Sequence, residues 1–432
     1  MPAPSRTGQA PRVTKLIVDT LAQALATILR FDGPSDVLMS RFFRLNPNLG
    51  SRDRSLVAEA IFFALRRFAT LGWALQPATP VRAPRLAALV TLARQHGLEA
   101  LEGQALSGDA SAVKHALGVD LASAPGSVRA ELPQWLYAAV EQQYPDAEAL
   151  FKALVEPAAL DLRVNTLKAN REEVLAEFAG YGVDCTATRY SPDGIRLADK
   201  PALTQWAAYR DGRIEVQDEG SQLIARLMQP RRGEMVVDFC AGAGGKTLAL
   251  GALMRSAGRL YAFDINEKRL AGLGPRMRRS GLSNVHPVAI RSESDLRVKR
   301  LAGKCDRVLV DAPCSGSGTV RRNPDLKWRF DQPELERVSK VQRSVLMAAA
   351  RLVKPGGRLV YATCSLLARE NQGVIEEFLA GHAEFRTVAA AEVLSMQSIS
   401  IDQAARFAPY FVMLPHLHGT DGFFAAVLER VE

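Results

Sequence analysis

Apolar residues recur at helix spacing from near the start of the chain. Ile17, Leu21, Leu25, Ile28 and Leu29 share one face of a 3.6-residue repeat. A second such stretch runs over residues 53–67, through Leu56, Val57, Ala60, Ile61, Ala64 and Leu65. Ser51 is its predicted N-cap, and Asp53 lies in the first turn, where a carboxylate favours the positive end of the helix dipole. The pattern stays helical, rich in Ala and Leu, to about residue 118. Residues 121–128 are small, with Pro and Gly, and read as a linker. Residues 133–155 are amphipathic and predicted helical. Residues 160–164 and 194–197 then read as strands, with a helix predicted over 171–181 between them.

After Gly212 the pattern changes. Short apolar runs at 235–239, 259–263, 285–290, 307–310 and 358–362 alternate with helical stretches. Such alternation predicts an α/β fold, a Rossmann-like doubly wound sheet with helices on both faces. Ligands of such sheets sit at the carboxyl ends of the strands. The predicted organisation is an all-helical domain over 1–125, a helical linker and small α+β subdomain over 126–211, and the doubly wound domain over 212–432.

Composition narrows the class of protein. The 432 residues are 47% hydrophobic and 23% charged, which suits a folded globular chain. The formal net charge of +9 points to a polyanionic partner. No run of about 18 apolar residues exists to span a membrane, and residues 1–12 lack the apolar core of a signal peptide. The five cysteines, Cys185, Cys240, Cys305, Cys314 and Cys364, are odd in number and widely spaced, with no CxxC pair. They fit neither a disulfide framework nor a zinc site, and they suit the reducing cytoplasm. The expectation is a cytoplasmic, metal-free monomer.

Candidate chemistry gathers at the predicted strand ends. The first run passes from Val237-Asp238-Phe239 into Cys240, Ala241, Gly242, Ala243, Gly244, Gly245 and Lys246 before a helix. Glycines let a ligand approach the backbone, and a helix start offers free N–H groups. A nucleotide phosphate and S-adenosylmethionine both fit in principle. The GxxxxGK[ST] phosphate loop requires Gly five residues before Gly245, where Cys240 stands. Asp264 ends the next run, 22 residues after Gly242, a spacing suited to ribose hydroxyls. Both features favour a cofactor that carries a nucleoside.

Two further segments each place a cysteine just past a strand. One is Val310-Asp311-Ala312-Pro313-Cys314-Ser315, the other Ala362-Thr363-Cys364-Ser365. A lone cysteine reads as a small buried hydrophobe. Two at equivalent strand ends, with Asp311 beside them, suit carbon methylation of a pyrimidine. Cytosine C5 is a poor nucleophile until a thiolate adds at C6 and makes it enamine-like. An acid such as Asp311 is suited to hydrogen-bond the base edge. The residues alone do not say which thiol attacks.

Residues 127–432 resemble the RNA cytosine-5 methyltransferases of the RsmB/Nop2/Sun family. The matching segments stand in order: Leu162-Arg163-Val164-Asn165-Thr166-Leu167, Val216-Gln217-Asp218-Glu219-Gly220-Ser221-Gln222, residues 238–247, 311–318 and 321–328, Thr363-Cys364-Ser365 and Gly422-Phe423-Phe424. The N-terminal helices, with Leu49-Gly50-Ser51-Arg52-Asp53-Arg54, resemble the NusB-like RNA-binding domain of the bacterial RsmB branch. The resemblance implies S-adenosylmethionine as cofactor and RNA, small-subunit ribosomal RNA, as substrate. It implies Cys364 as nucleophile and Cys314 as the residue that helps release product. Asp311 would contact the base or cofactor, and residues 240–246 with Asp264 would hold the cofactor.

Two departures stand out. The family usually has Ala-Pro-Gly-Gly-Lys where this chain has Gly242-Ala243-Gly244-Gly245-Lys246. It often has Gly-Asp after the third strand, where this chain has Ile290-Arg291-Ser292-Glu293-Ser294-Asp295. Arg321, Arg322, Lys327 and Arg329 surround Trp328, and such a strip is suited to phosphates and stacked bases. The competing expectation tucks Trp328 into the core. The alternative function is a catalytically impaired RNA-binding or ribosome-assembly factor on the same fold.

Overall fold

The computed structural model describes residues 12–101 and 103–431. The N-terminal stretch read for a signal peptide lies outside them except for Arg12. Contacts divide the chain into two compact units. Among the described residues, one holds 158–318 and 333–431, and the other 12–157 and 319–332. Residues 126–157, drawn with the small subdomain in the sequence reading, group with the helical unit.

The helical unit is built on Lys15–Ile28, Ser35–Leu45, Ser51–Arg66 and Pro84–His96. Leu21, Leu25, Ile28, Ile61, Leu65 and Leu89 fill its core. Thr14 caps the first helix by accepting from the Ile17 N–H. Ser51 is not the cap of the third: Gly50 takes that position with no side-chain bond, and Ser51 is the first helical residue. The predicted helix over 133–155 is two, Gln134–Gln143 and Ala147–Leu154. They part at Tyr144-Pro145-Asp146, where Pro145 supplies no N–H and disfavours helix before it. The predicted linker includes a short helix, Gly126–Arg129.

Residues 319–332 belong to this helical unit although the other unit flanks them in sequence. Trp328 lies edge-on against Phe68 at 5.2 Å between ring centroids, and its Nε1 donates to the Leu65 carbonyl at 3.4 Å. Lys327 is buried and donates to the Arg66 carbonyl at 3.2 Å. Arg321 is buried and donates to the carbonyls of Glu156 and Pro157 at 3.4 and 3.2 Å. Of the strip read as a stacking platform for RNA, Arg321 and Lys327 are buried and Trp328 is half-buried against Phe68. Arg321, Lys327 and Trp328 satisfy backbone carbonyls, whereas Arg329 is exposed and pairs with Asp325.

The other unit holds two sheets. The smaller is antiparallel, ordered β2-β3-β1-β4, from β1 (Leu160–Val164), β2 (Cys185–Ala187), β3 (Gly194–Leu197) and β4 (Ile214–Val216). The motif residues 162–167 and 216–222 brace it. Asn165 donates to the carbonyls of Gly212 and Ser280, each at 2.9 Å. Arg163 donates to Gln217 Oε1 at 2.6 Å.

The larger sheet runs β10-β12-β9-β8-β5-β6-β7. Its strands are β5 (Met235–Asp238), β6 (Arg259–Asp264), β7 (Val285–Ala289), β8 (Cys305–Asp311), β9 (Val353–Thr363), β10 (Phe385–Val388), β11 (Phe411–Met413) and β12 (Phe423–Arg430). The run from β7 through β9 is parallel, as the alternating pattern predicts. β10, β11 and β12 add an antiparallel end. Val236, Val237, Val308, Leu309, Val310, Leu359 and Val360 are all buried, as expected for strands covered on both faces.

Candidate functional site

The glycine turn follows β5, the central strand of the parallel run. Phe239 N donates to the Leu309 carbonyl and Ala241 N to the Phe263 carbonyl, each at 2.8 Å, so the turn hangs from both neighbouring strands. Gly242 and Gly244 have φ of 56° and 83°, in the left-handed region that favours glycine. A Cβ on Gly244 would meet Leu273 Cδ1 at 2.2 Å. Gly244 caps the helix Gly245–Leu253, whose first N–H groups point out of the strand end. The missing proline leaves this turn closed by the bond from Gly244 N to the Ala241 carbonyl at 2.8 Å.

Asp264 ends β6 and accepts from Gly242 N through Oδ2 and from Asn266 N through Oδ1, both at 2.7 Å. It shapes the glycine turn directly. Asp238 ends β5, accepts from Thr247 Oγ1 at 2.6 Å, and keeps Oδ1 buried without a protein partner. Burial pushes its pKa up to about 7, against the Thr247 hydrogen bond and with help from Asp311. Desolvation and then the charges of Asp238, Asp311 and Asp264 raise the Cys240 thiol well above its ordinary range, which disfavours it as a nucleophile.

Lys246 Nζ reaches from the helix start to Asp311 Oδ2, at 2.7 Å, at the tip of β8. Burial disfavours the ammonium, but the Asp311 carboxylate outweighs burial and raises its pKa. Phe423 of β12 lies beneath, with its ring centroid 5.9 Å from Nζ.

β8 and β9 are parallel neighbours with Asp311 opposite Ala362. Their two following turns bring Cys314 Sγ within 3.4 Å of Cys364 Sγ. Gly318 N donates to the Cys364 carbonyl at 2.9 Å, and Gly422 N to the Gly318 carbonyl at 2.8 Å. The fit is tight: a Cβ on Gly318 would lie 2.3 Å from the Gly422 carbonyl oxygen. The hydrogen bond to Cys364, then burial and the charges of Cys364 and Glu370, raise the Cys314 pKa well above that of a free thiol.

The residues read from the sequence as catalytic or cofactor-binding, 240–246, Asp264, Asp311, Cys314 and Cys364, all follow or end strands at this carboxyl edge. The third-strand stretch is different. Asp295 accepts from the Arg291 N–H at 3.0 Å and caps a short helix through the Arg297 N–H at 2.9 Å, with the Arg297 guanidinium on it at 2.7 Å. Glu293 accepts from Ser344 at 2.7 Å. The sequence reading gave no role to Asp238 and Thr247, and it missed a buried carboxylate, Glu370, bonded to Ser315 and Ser365. No periodicity or spacing marks Glu370, because its partners come from separate turns.

The family model described as 16S rRNA methyltransferase RsmB/F matches residues 225–429. A second, for the ferredoxin-like domain of RsmF/B-like methyltransferases, matches residues 132–204. The chain is 37% identical over 304 residues to a probable ribosomal RNA small subunit methyltransferase B of Synechocystis sp.. The chain belongs to the RsmB/F methyltransferase family.

That Synechocystis match covers 69% of this chain and 66% of the relative. Ribosomal RNA small subunit methyltransferase B of Pectobacterium carotovorum is 33% identical over 301 residues, with the same shares covered. The chain therefore spans just under two thirds of these RsmB/F relatives. Among solved structures, PH0851 superposes with a TM-score of 0.80 at 26% identity, covering 98% of this chain and all of that one. A methyltransferase homologue from Pyrococcus horikoshii gives 0.59 at 28% identity, covering 71% of this chain and 97% of its own. The cofactor of this methyltransferase family is S-adenosylmethionine, and the residues present fit it. Gly242 and Gly244 hold the turn in the left-handed region, which bares its backbone, and the buried Asp238 Oδ1 is an acceptor without a protein partner. Among the described residues, no helix is long and apolar enough to cross a membrane.

Proposed function

We propose that this protein methylates C5 of a cytosine in RNA, small-subunit ribosomal RNA, with S-adenosylmethionine as donor, in the cytoplasm. The observation that carries this reading is the thiol pair, 3.4 Å apart, beside the Lys246–Asp311 ion pair at one strand edge. S-adenosylmethionine, when bound, supplies an electrophilic methyl group. Residues 240–246 would line its amino-acid end, and Asp264 its ribose.

Cys364 Sγ adds to C6 of the cytosine, the C5=C6 double bond opens, and C5 becomes nucleophilic. Asp311, held by Lys246, hydrogen-bonds the base edge and stabilises the adduct. After C5 is methylated a base removes its proton, and the Cys364–C6 bond breaks by β-elimination. Cys314 stands next to the Cys364 sulfur, where this release occurs. The target cytosine must be unstacked to reach the pair. The helical unit, with its resemblance to NusB-like domains, would grip the RNA. An impaired assembly factor would have no use for a paired thiol and an ion pair kept together.

Incubation with methyl-labelled S-adenosylmethionine and unmodified small-subunit RNA tests the reading. Label is expected at cytosine C5, and its absence from every cytosine would overturn the proposal.

A further inference from the structure

Glu370 is fully buried, one turn after Cys364, and its carboxylate meets donors from three places. Oε1 accepts from the Ser315 N–H at 2.8 Å and from Gln342 Nε2 at 3.0 Å. Oε2 accepts from Ser315 Oγ at 2.5 Å and from Ser365 Oγ. Ser315 follows Cys314 directly, and Ser365 follows Cys364 directly. Gln342, on the helix Gln332–Ala350, also donates to the Pro313 carbonyl at 2.8 Å, just before Cys314. We propose that Glu370 is a positioning residue whose carboxylate ties the two cysteine turns together and sets the separation of their sulfurs. The inference rests on the methyltransfer reading for its purpose, but not for its geometry.

The carboxylate is itself fixed. The Glu370 carbonyl accepts from the Tyr361 hydroxyl at 2.7 Å. The next residue, Asn371, donates to the Ser365 carbonyl at 2.9 Å and accepts from Thr363 Oγ1 at 2.5 Å. Ser315, Ser317 and Ser365 add a hydroxyl triangle, with Oγ–Oγ distances of 3.1 and 3.2 Å. All of these groups are buried. A carboxylate accepts on both oxygens, so it can hold donors from both turns at once, which an amide of the same shape cannot.

The charge has a second consequence. The four donors are neutral, and an anion buried among neutral donors is costly, so a merely structural tie has little use for it. After the hydrogen bond to Cys364 and burial, its negative charge adds to what raises the Cys314 pKa.

The test uses Glu370→Gln and Ser365→Ala in the full chain, with two independent readouts. The first is oxidation by diamide. The two thiols lose their hydrogens to the diazene, which becomes a hydrazine, and a Cys314–Cys364 bond forms that peptide mass spectrometry follows. If Glu370 sets the separation, both variants form this bond about fivefold or more slowly, because the effective concentration of the thiols falls. The second is single-turnover methyl transfer, expected to slow about tenfold or more in both, with cofactor affinity unchanged within about twofold. Glu370→Gln alone also moves the alkaline limb of the pH–rate profile to lower pH, since it removes a charge that raises the Cys314 pKa.

Wild-type oxidation rates in both variants would overturn the proposal. If Glu370→Gln fails to fold, Ser365→Ala and Ser315→Ala, which retain the carboxylate, decide it by the same rates. If the wild-type protein methylates no cytosine, the functional reading falls, while the oxidation rates still decide the positioning role.

Discussion

Cys314 and Cys364 lie fifty residues apart in sequence, and their sulfurs lie 3.4 Å apart in the structure. Parallel pairing of β8 with β9 brings the turns alongside, and the bond from Gly318 N to the Cys364 carbonyl sets their depth. The hydrogen bond to Cys364, burial and the charge of Glu370 raise the Cys314 thiol.

Single substitutions separate the two cysteines by experiment. Cys364→Ala removes the attacking sulfur and is expected to abolish methyl transfer. Cys314→Ala is expected to stall release and accumulate a covalent RNA–protein adduct, seen as a denaturant-stable gel shift. Turnover by Cys364→Ala would overturn the nucleophile assignment.

The Lys246–Asp311 pair is mostly buried on the lysine side. Lys246→Met keeps the stem against Phe423 but leaves Asp311 without its ammonium. Transition-state stabilisation of this kind is worth about 3 kcal/mol, so kcat is expected to fall by about 100-fold. Stopped-flow or quench kinetics at saturating substrates measure it, and a change confined to KM would speak against the role.

Asp238 makes stability depend on pH. Its folded pKa, near 7, is raised above the ordinary carboxylate value, so the folded state binds the proton more tightly than the unfolded chain. The contribution is fully present below about pH 4, is lost as pH rises through about 7, and is flat above that. Asp238→Asn keeps an acceptor for Thr247 and removes the charge. Its melting temperature, relative to wild type, is expected to be higher at pH 8 than at pH 5 in ligand-free protein. An equal difference at both values would contradict the assignment.

Gly244→Ala tests the glycine turn. The residue sits at φ 83° with Leu273 Cδ1 in the way of a Cβ. Strain of about 1–3 kcal/mol is expected, with loss of cofactor binding by calorimetry.

Trp328 offers a test of the helical unit. Trp328→Ala opens a hole beside Phe68 and leaves the Leu65 carbonyl without its donor. A loss of about 3–5 kcal/mol is expected in thermal unfolding, with little change in RNA affinity of the folded protein. A weakened RNA complex at full stability would restore the stacking role.

The sequence by itself determined the local things. Alternating apolar runs imply a parallel sheet, and helix-spaced leucines imply a helical domain, because these patterns follow from one element's own geometry. The glycine turn and the two cysteine turns were legible for the same reason: each is a short segment at the end of one strand. Gly50 rather than Ser51 as cap turns on one residue of chain path, which a pattern does not resolve. The antiparallel end, β10 to β12, had no strong pattern of its own, since its register comes from pairing on β9. Only the tertiary structure decided that Trp328 packs inward with Phe68 and Leu65, because that choice depends on partners more than 250 residues away. It also decided the role open to Glu370. A single glutamate in a polar turn looks solvated in sequence. Four donors from two other turns and a helix, brought together by the sheet, are what bury it and join it to the thiol pair.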